Sequence, residues 1–125
     1  MTTEGLTFIA KCLSEAGINY SFQEWSGNPK YPYFVGEYME CTPLHENGET
    51  ESVFILTGTT NDSWISLEHA KAELRNLFPE TGKTQIFDSG NAIAVMYSDS
   101  FCIPTGTGKF KRIQINFNVK EWKGD

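Results

Sequence analysis

The sequence predicts an α+β fold: an antiparallel or mixed β-sheet with two α-helices packed on one face, in the order α-(β)-β-β-α-β-β-β, forming a single domain over residues 1–125. Three observations predict it. Apolar residues recur at helical spacing in two separate stretches. An aromatic-rich run, a turn and a β-rich run lie between them. The chain closes on strict alternation, with Ile113, Ile115, Phe117 and Val119 on one side and Arg112, Gln114, Asn116 and Asn118 on the other.

Residues 3–16 read as the first helix, with Leu6, Ile9, Leu13 and Ala16 on one stripe, widened by Phe8 and Cys12. Thr3 is the expected cap, Glu4 suits the positive end of the dipole, and Gly17 is the expected stop. Residues 18–22 alternate like a short strand, and Gly27, Asn28 and Pro29 mark a loop. Residues 31–41 and 51–59 read as a long hairpin around Pro43, Asn47 and Gly48, with an acidic tip of Glu46, Glu49 and Glu51. Asn61-Asp62-Ser63 caps a second helix over 63–77, whose stripe is Trp64, Leu67, Ala70, Leu74, Leu77 and Phe78. Strands over 84–88 and 91–98 flank a Ser89-Gly90-Asn91 turn, and Ile93, Val95 and Tyr97 share a face. Residues 99–108 read as an irregular connection to the last strand.

Sixteen acidic against ten basic residues give a formal charge of −6, which disfavours a generic nucleic-acid binder. The one basic cluster, Lys109, Lys111 and Arg112, reads as a solvated strand end. Three cysteines without a CxxC pair do not form a disulfide framework. Cys12 is expected in the core, and Cys102, between Phe101 and Ile103, is expected to be buried and unreactive. The N-terminus does not read as a secretory leader, and no apolar run reaches the ~18 residues of a membrane span. The expected setting is a reducing cytoplasm.

The chemistry-bearing residues do not assemble into a motif. Thr105-Gly106-Thr107-Gly108-Lys109 imitates a phosphate loop, but Ile103 and Phe110 occupy positions that need Gly and Ser or Thr. It also leads into a strand rather than a helix, so a turn is expected. His45 and His69 have no histidine or cysteine at ligand spacing, and no G-x-S-x-G elbow occurs. Pairing Cys41 or Cys102 with either histidine has no local support. No catalytic residue, metal or cofactor is expected, and the chain does not read as an enzyme. Trp25, Tyr31, Tyr33, Phe34 and Tyr38 crowd together, either as an outward tyrosine row that binds protein or as cross-strand packing.

Tyr31-Pro32-Tyr33-Phe34-Val35-Gly36-Glu37-Tyr38, the hairpin after it, the helix bearing Trp64 and Leu67, and the closing run from Lys111 to Glu121-Trp122 together resemble the small tail-completion (tail-terminator) proteins of long-tailed bacteriophages and prophages. The resemblance covers most of the chain as an order of elements. It implies a structural protein that forms a ring on the finished tail tube, ends its polymerisation and presents the head-joining surface. The implied partners are further copies of the chain, the tail-tube protein and head-connector proteins, with no sequence-specific nucleic acid and no membrane. The implied location is the host cytoplasm during assembly and the virion tail afterwards. For the subunit interface or channel the expected residues are Tyr38, Glu40, His45, Glu46, Glu49 and Glu51 on the hairpin, with Gln114, Asn116 and Asn118 on the last strand. The hairpin 36–59 and the edge of the last strand are the two expected patches. Acidic tips facing a channel would let DNA pass without sticking. The alternative is an acidic protein-binding module, an immunity- or antitoxin-type partner of a basic protein. A small enzyme using a sheet-face pocket is the third reading.

Overall fold

The computed structural model describes residues 1–25, 27–42 and 48–124. Helix α1 spans Thr3–Glu15. Its cap is Thr2 rather than the expected Thr3: the Thr2 hydroxyl accepts the Gly5 N–H at 2.9 Å and donates to the buried Glu121 carboxylate at 2.5 Å. Glu121 also accepts the Thr2 N–H at 3.2 Å, so a carboxylate from the far end of the chain sits on the helix's positive pole. Gly17, at φ +75, closes the helix as expected. The Gly17 and Ile18 N–H groups return to Ser14 at 3.0 Å and Leu13 at 2.9 Å, the Schellman arrangement.

The strands are β1 (Tyr20–Phe22), β2 (Tyr33–Thr42), β3 (Glu49–Thr60), β4 (Lys83–Ile86), β5 (Ala92–Ile103) and β6 (Lys111–Trp122), with α2 (Trp64–Leu77) between β3 and β4. They form one sheet in the order β1-β2-β3-β6-β5-β4, antiparallel except where β1 runs parallel to β2. The sheet is therefore mixed, with both helices on one face. The last strand, expected to offer an edge, is internal: β6 pairs with β3 on one side and β5 on the other. Residues 99–103, expected to be irregular, continue β5. A bulge between Tyr97 and Asp99 absorbs the change of phase, and pairing with β6 resumes to Ile103.

The core lies between helices and sheet. Ile9, Cys12 and Leu13 of α1, and Leu67, Ala70 and Leu74 of α2, cover Phe34, Phe54, Leu56, Ile93, Val95, Ile113, Ile115, Phe117 and Val119. Burial pushes the Cys12 thiol above its ordinary pKa. Two stripe residues depart from expectation: Ala16 is exposed at the C-cap of α1, and Trp64 is 42% exposed on the first turn of α2. Cys102 is also exposed, contrary to expectation. It pairs with Ile113 on the helix-side face, but it lies in the half of β5 that β4 does not reach.

Two glycines let aromatic rings lie flat on this face. A Cβ on Gly58 would stand 2.3 Å from the Phe34 ring, and one on Gly36 would stand 2.6 Å from Tyr20 and 2.7 Å from Phe54. Phe34 is buried against the backbone itself, so Gly58→Ala forces the ring out of its well. The expected loss is about 1–3 kcal/mol, read as a lower urea midpoint at unchanged slope.

Candidate functional site

The second face of the sheet carries no helix among the described residues, and side-chain alternation assigns its residues. Across the strands, Tyr33, Thr59, Arg112 and Ile103 form one row. Val35, Thr57, Gln114 and Phe101 form the next, then Glu37, Ile55, Asn116 and Asp99, then Met39, Val53, Asn118 and Met96. Further along, Glu51, Lys120 and Ala94 share a row, as do Glu49, Trp122 and Ala92. The face thus has a polar ridge along β6, with apolar side chains on either side. Met39 is 60% exposed and Phe101 is 51% exposed.

The ridge is internally bonded. Gln114 Nε2 donates to Asn116 Oδ1 at 3.0 Å, and Asn116 Nδ2 donates to Asp99 Oδ1 at 2.7 Å. Arg112 Nε donates to Thr59 Oγ1 at 3.2 Å. Such mutual satisfaction orients the amides and lowers the cost of covering them. At the β3 end, Lys120 Nζ lies 3.6 Å from Glu49 Oε1, so the acidic residues there are partly balanced.

Of the residues expected from sequence, Glu49, Glu51, Gln114, Asn116 and Asn118 come together on this face. Glu49 and Glu51 stand within β3 rather than on a tip. Tyr38 and Glu40 point to the opposite, helix-side face. Tyr38 stacks on Phe22 at 6.2 Å, and Glu40 is held at 2.7 Å by the Met1 ammonium, which keeps its carboxyl below the usual range. His45 and Glu46 lie outside the described residues. The outward tyrosine row does not form, because Tyr33 and Tyr38 have opposite parity along β2. Tyr33 instead clusters with Trp25 at 5.2 Å and Tyr31 at 5.7 Å.

Sequence reasoning missed Val35, Met39, Val53, Ile55, Met96 and Phe101 as surface residues. A signal existed in Val53-Phe54-Ile55-Leu56, because an unbroken apolar run in a strand places apolar side chains on both faces.

A concavity of about 760 Å3 lies between the helices, over Tyr20 and Phe34, with Ser14, Lys30, His69 and Glu73 at its rim. His69 and Glu73 stand on the exposed side of α2. No cluster of metal-ligating side chains occurs among the described residues. The Thr105–Lys109 segment is a turn: Thr105 Oγ1 bonds the Phe110 carbonyl at 2.8 Å and the Thr107 carbonyl at 2.9 Å. No family model and no curated protein matches the chain.

The cleft floor generates a pH dependence. Burial pushes the Tyr20 phenol up to about 12 from 10.0. Folding favours the neutral phenol, so its contribution is complete below the lower value and is lost as pH climbs through the higher one. Tyr20→Phe should flatten the decline in stability across that alkaline window, measured by denaturant midpoints at stepped pH. An identical decline in the variant would rule out this assignment.

Proposed function

We propose that the chain is a structural assembly protein, a ring-forming tail-completion subunit that ends tail-tube polymerisation and forms the head-joining surface. The observation that carries the reading is the helix-free sheet face, with its pre-bonded amide ridge between exposed apolar side chains. A face of that kind suits protein contact: it is polar enough to stay in solution and apolar enough to gain from burial. The chain order of its elements supports the tail-completion form of the reading. So does the net charge of −6, which keeps passing DNA from adhering. The Lys120–Glu49 pair weakens the case for Glu49 as a bare channel charge and leaves Glu51 as the stronger described contributor.

The experiment is electron microscopy of particles from a lysate in which this gene is deleted. The expected result is overlong tail tubes beside unjoined, filled heads. Normal infectious particles would overturn the reading, and capture of one tight basic partner would then favour the acidic binding module. If a channel wall is built from the acidic residues, Glu51→Gln should leave assembly intact and slow DNA passage. Unchanged passage would remove the channel role alone.

A further inference from the structure

Two stretches of the sheet edge carry no neighbouring strand among the described residues. β1 pairs with β2 only from Phe34 to Gly36, so β2 from Glu37 to Thr42 is bonded to β3 alone. β4 pairs with β5 only from Ala92 to Val95, so β5 from Asp99 to Ile103 is bonded to β6 alone. On β2 the outward groups can be assigned. The Phe34 N–H goes to the Asn19 carbonyl at 2.8 Å and the Gly36 carbonyl accepts the Gln23 N–H at 2.8 Å, both on the β1 side. By alternation, Tyr38 and Glu40 present their N–H and C=O groups outward.

The two bare stretches sit at diagonally opposite corners. β1 covers the half of β2 that lies level with the bare half of β5, and β4 covers the half of β5 that lies level with the bare half of β2. Each edge is therefore a step, and the two steps are complementary. A second copy displaced along the strands fits its β2 beside β5, with β4 end to end in the same column. The successive antiparallel pairings make β2 and β5 run in opposite directions, so this contact is antiparallel.

Charge selects the same contact. The β2 edge carries Glu37, and Glu40, whose carboxylate is already paired with the Met1 ammonium. The β5 edge ends at Ile103 beside its pair Arg112, with Lys109 and Lys111 adjacent. Its own acid, Asp99, stands at the other end of the bare stretch, where it accepts the Asn116 amide. A β2–β2 contact sets a stretch carrying two glutamates against itself, and an antiparallel β5–β5 contact holds the two basic corners at opposite ends, so the β2–β5 contact is the one that sets a glutamate, Glu37, against the basic corner.

We propose that the bare half of β5 pairs with the bare half of β2 of a second copy of this chain, a head-to-tail contact that continues the sheet from subunit to subunit. Such a contact is heterologous and closes into a ring when the rotation permits. It deepens the ring-forming reading above and rests on it for closure alone.

The edges carry their own probes. Cys41 is exposed on the β2 stretch, Cys102 is exposed on the β5 stretch, and Cys12 is buried. A short bismaleimide added to the concentrated chain should give a ladder of dimers and larger species, and Cys41→Ser or Cys102→Ser should each abolish it. Glu40→Pro removes one outward N–H without touching the bonds to β3, and is compared with Glu40→Gln, which loses the same carboxylate and Met1 pairing but keeps the N–H. Glu40→Pro should lower the ladder yield about fivefold or more while the fold, by circular dichroism, is kept. Dimers that survive Cys102→Ser indicate a two-fold β2 contact and overturn the proposal. So does the absence of any ladder up to the solubility limit. A ladder from a chain whose deletion leaves particles normal upholds the pairing and removes the tail role; a deletion phenotype without a ladder does the reverse.

Discussion

The register between β3 and β6 is the constraint on which the rest depends. From Glu49 opposite Trp122 to Thr60 opposite Lys111 the pairing runs without a shift. It puts Phe54 and Leu56 beside Phe117 and Ile115 under the helices, and Val53 and Ile55 beside Asn118 and Asn116 on the open side. A slip of one residue would exchange the two faces, burying the amides and exposing the phenylalanines. The same register places Gly58 opposite Ile113, where the missing side chain lets Phe34 from β2 reach the core. It also carries Glu121 to the buried position where its carboxylate anchors Thr2 and α1. Helix placement, ring packing and the amide ridge thus follow from one ladder.

A long central pair with short outer strands has a cost. Bare strand edges are templates for pairing with other chains, and folded proteins usually blunt them. Here the blunting is partial: Glu37 marks one edge beside Glu40, which the Met1 ammonium holds, while the other has a bulge and Asp99, which accepts the Asn116 amide. The charges differ in sign between the corners. They favour the unlike pair, in which Glu37 of one edge meets the basic corner of the other, over either like pair. A charge pattern that favours one arrangement over the others acts as a specificity device as well as a solubility device.

Legibility in the sequence tracked local regularity. The two faces of β6 could be read because alternation is a property of one strand, and the stop of α1 could be read because only glycine enters the φ +75 region cheaply. The tail of β5 could not be read, because its bulge breaks alternation at Ser98-Asp99-Ser100, a triplet with the composition of a turn. Cys102 was misplaced for a related reason: apolar neighbours in sequence say nothing about whether a further strand extends beside that half of β5. The internal position of β6 was equally hidden, since a strand with one apolar and one polar face reads alike at an edge and at the centre. Gln114, Asn116 and Asn118 were legible as a face. Met39 and Phe101 were not, because their place beside that ridge depends on strand order, which is a property of the whole chain.

The open face also explains why polar residues at the centre of the sheet do not by themselves indicate chemistry. A reactive site needs groups held away from their ideal partners and space for a substrate. The ridge has the opposite character. Gln114 is bonded to Asn116, Asn116 to Asp99, and Arg112 to Thr59, and these side chains lie on a flat sheet rather than in a cavity. Groups that satisfy one another in advance lose little when a partner displaces water from above them, and the flanking Met39, Val53, Met96 and Phe101 gain when it does. An amide ridge between apolar flanks is cheap to cover, which is the physical ground for proposing this face as an interface.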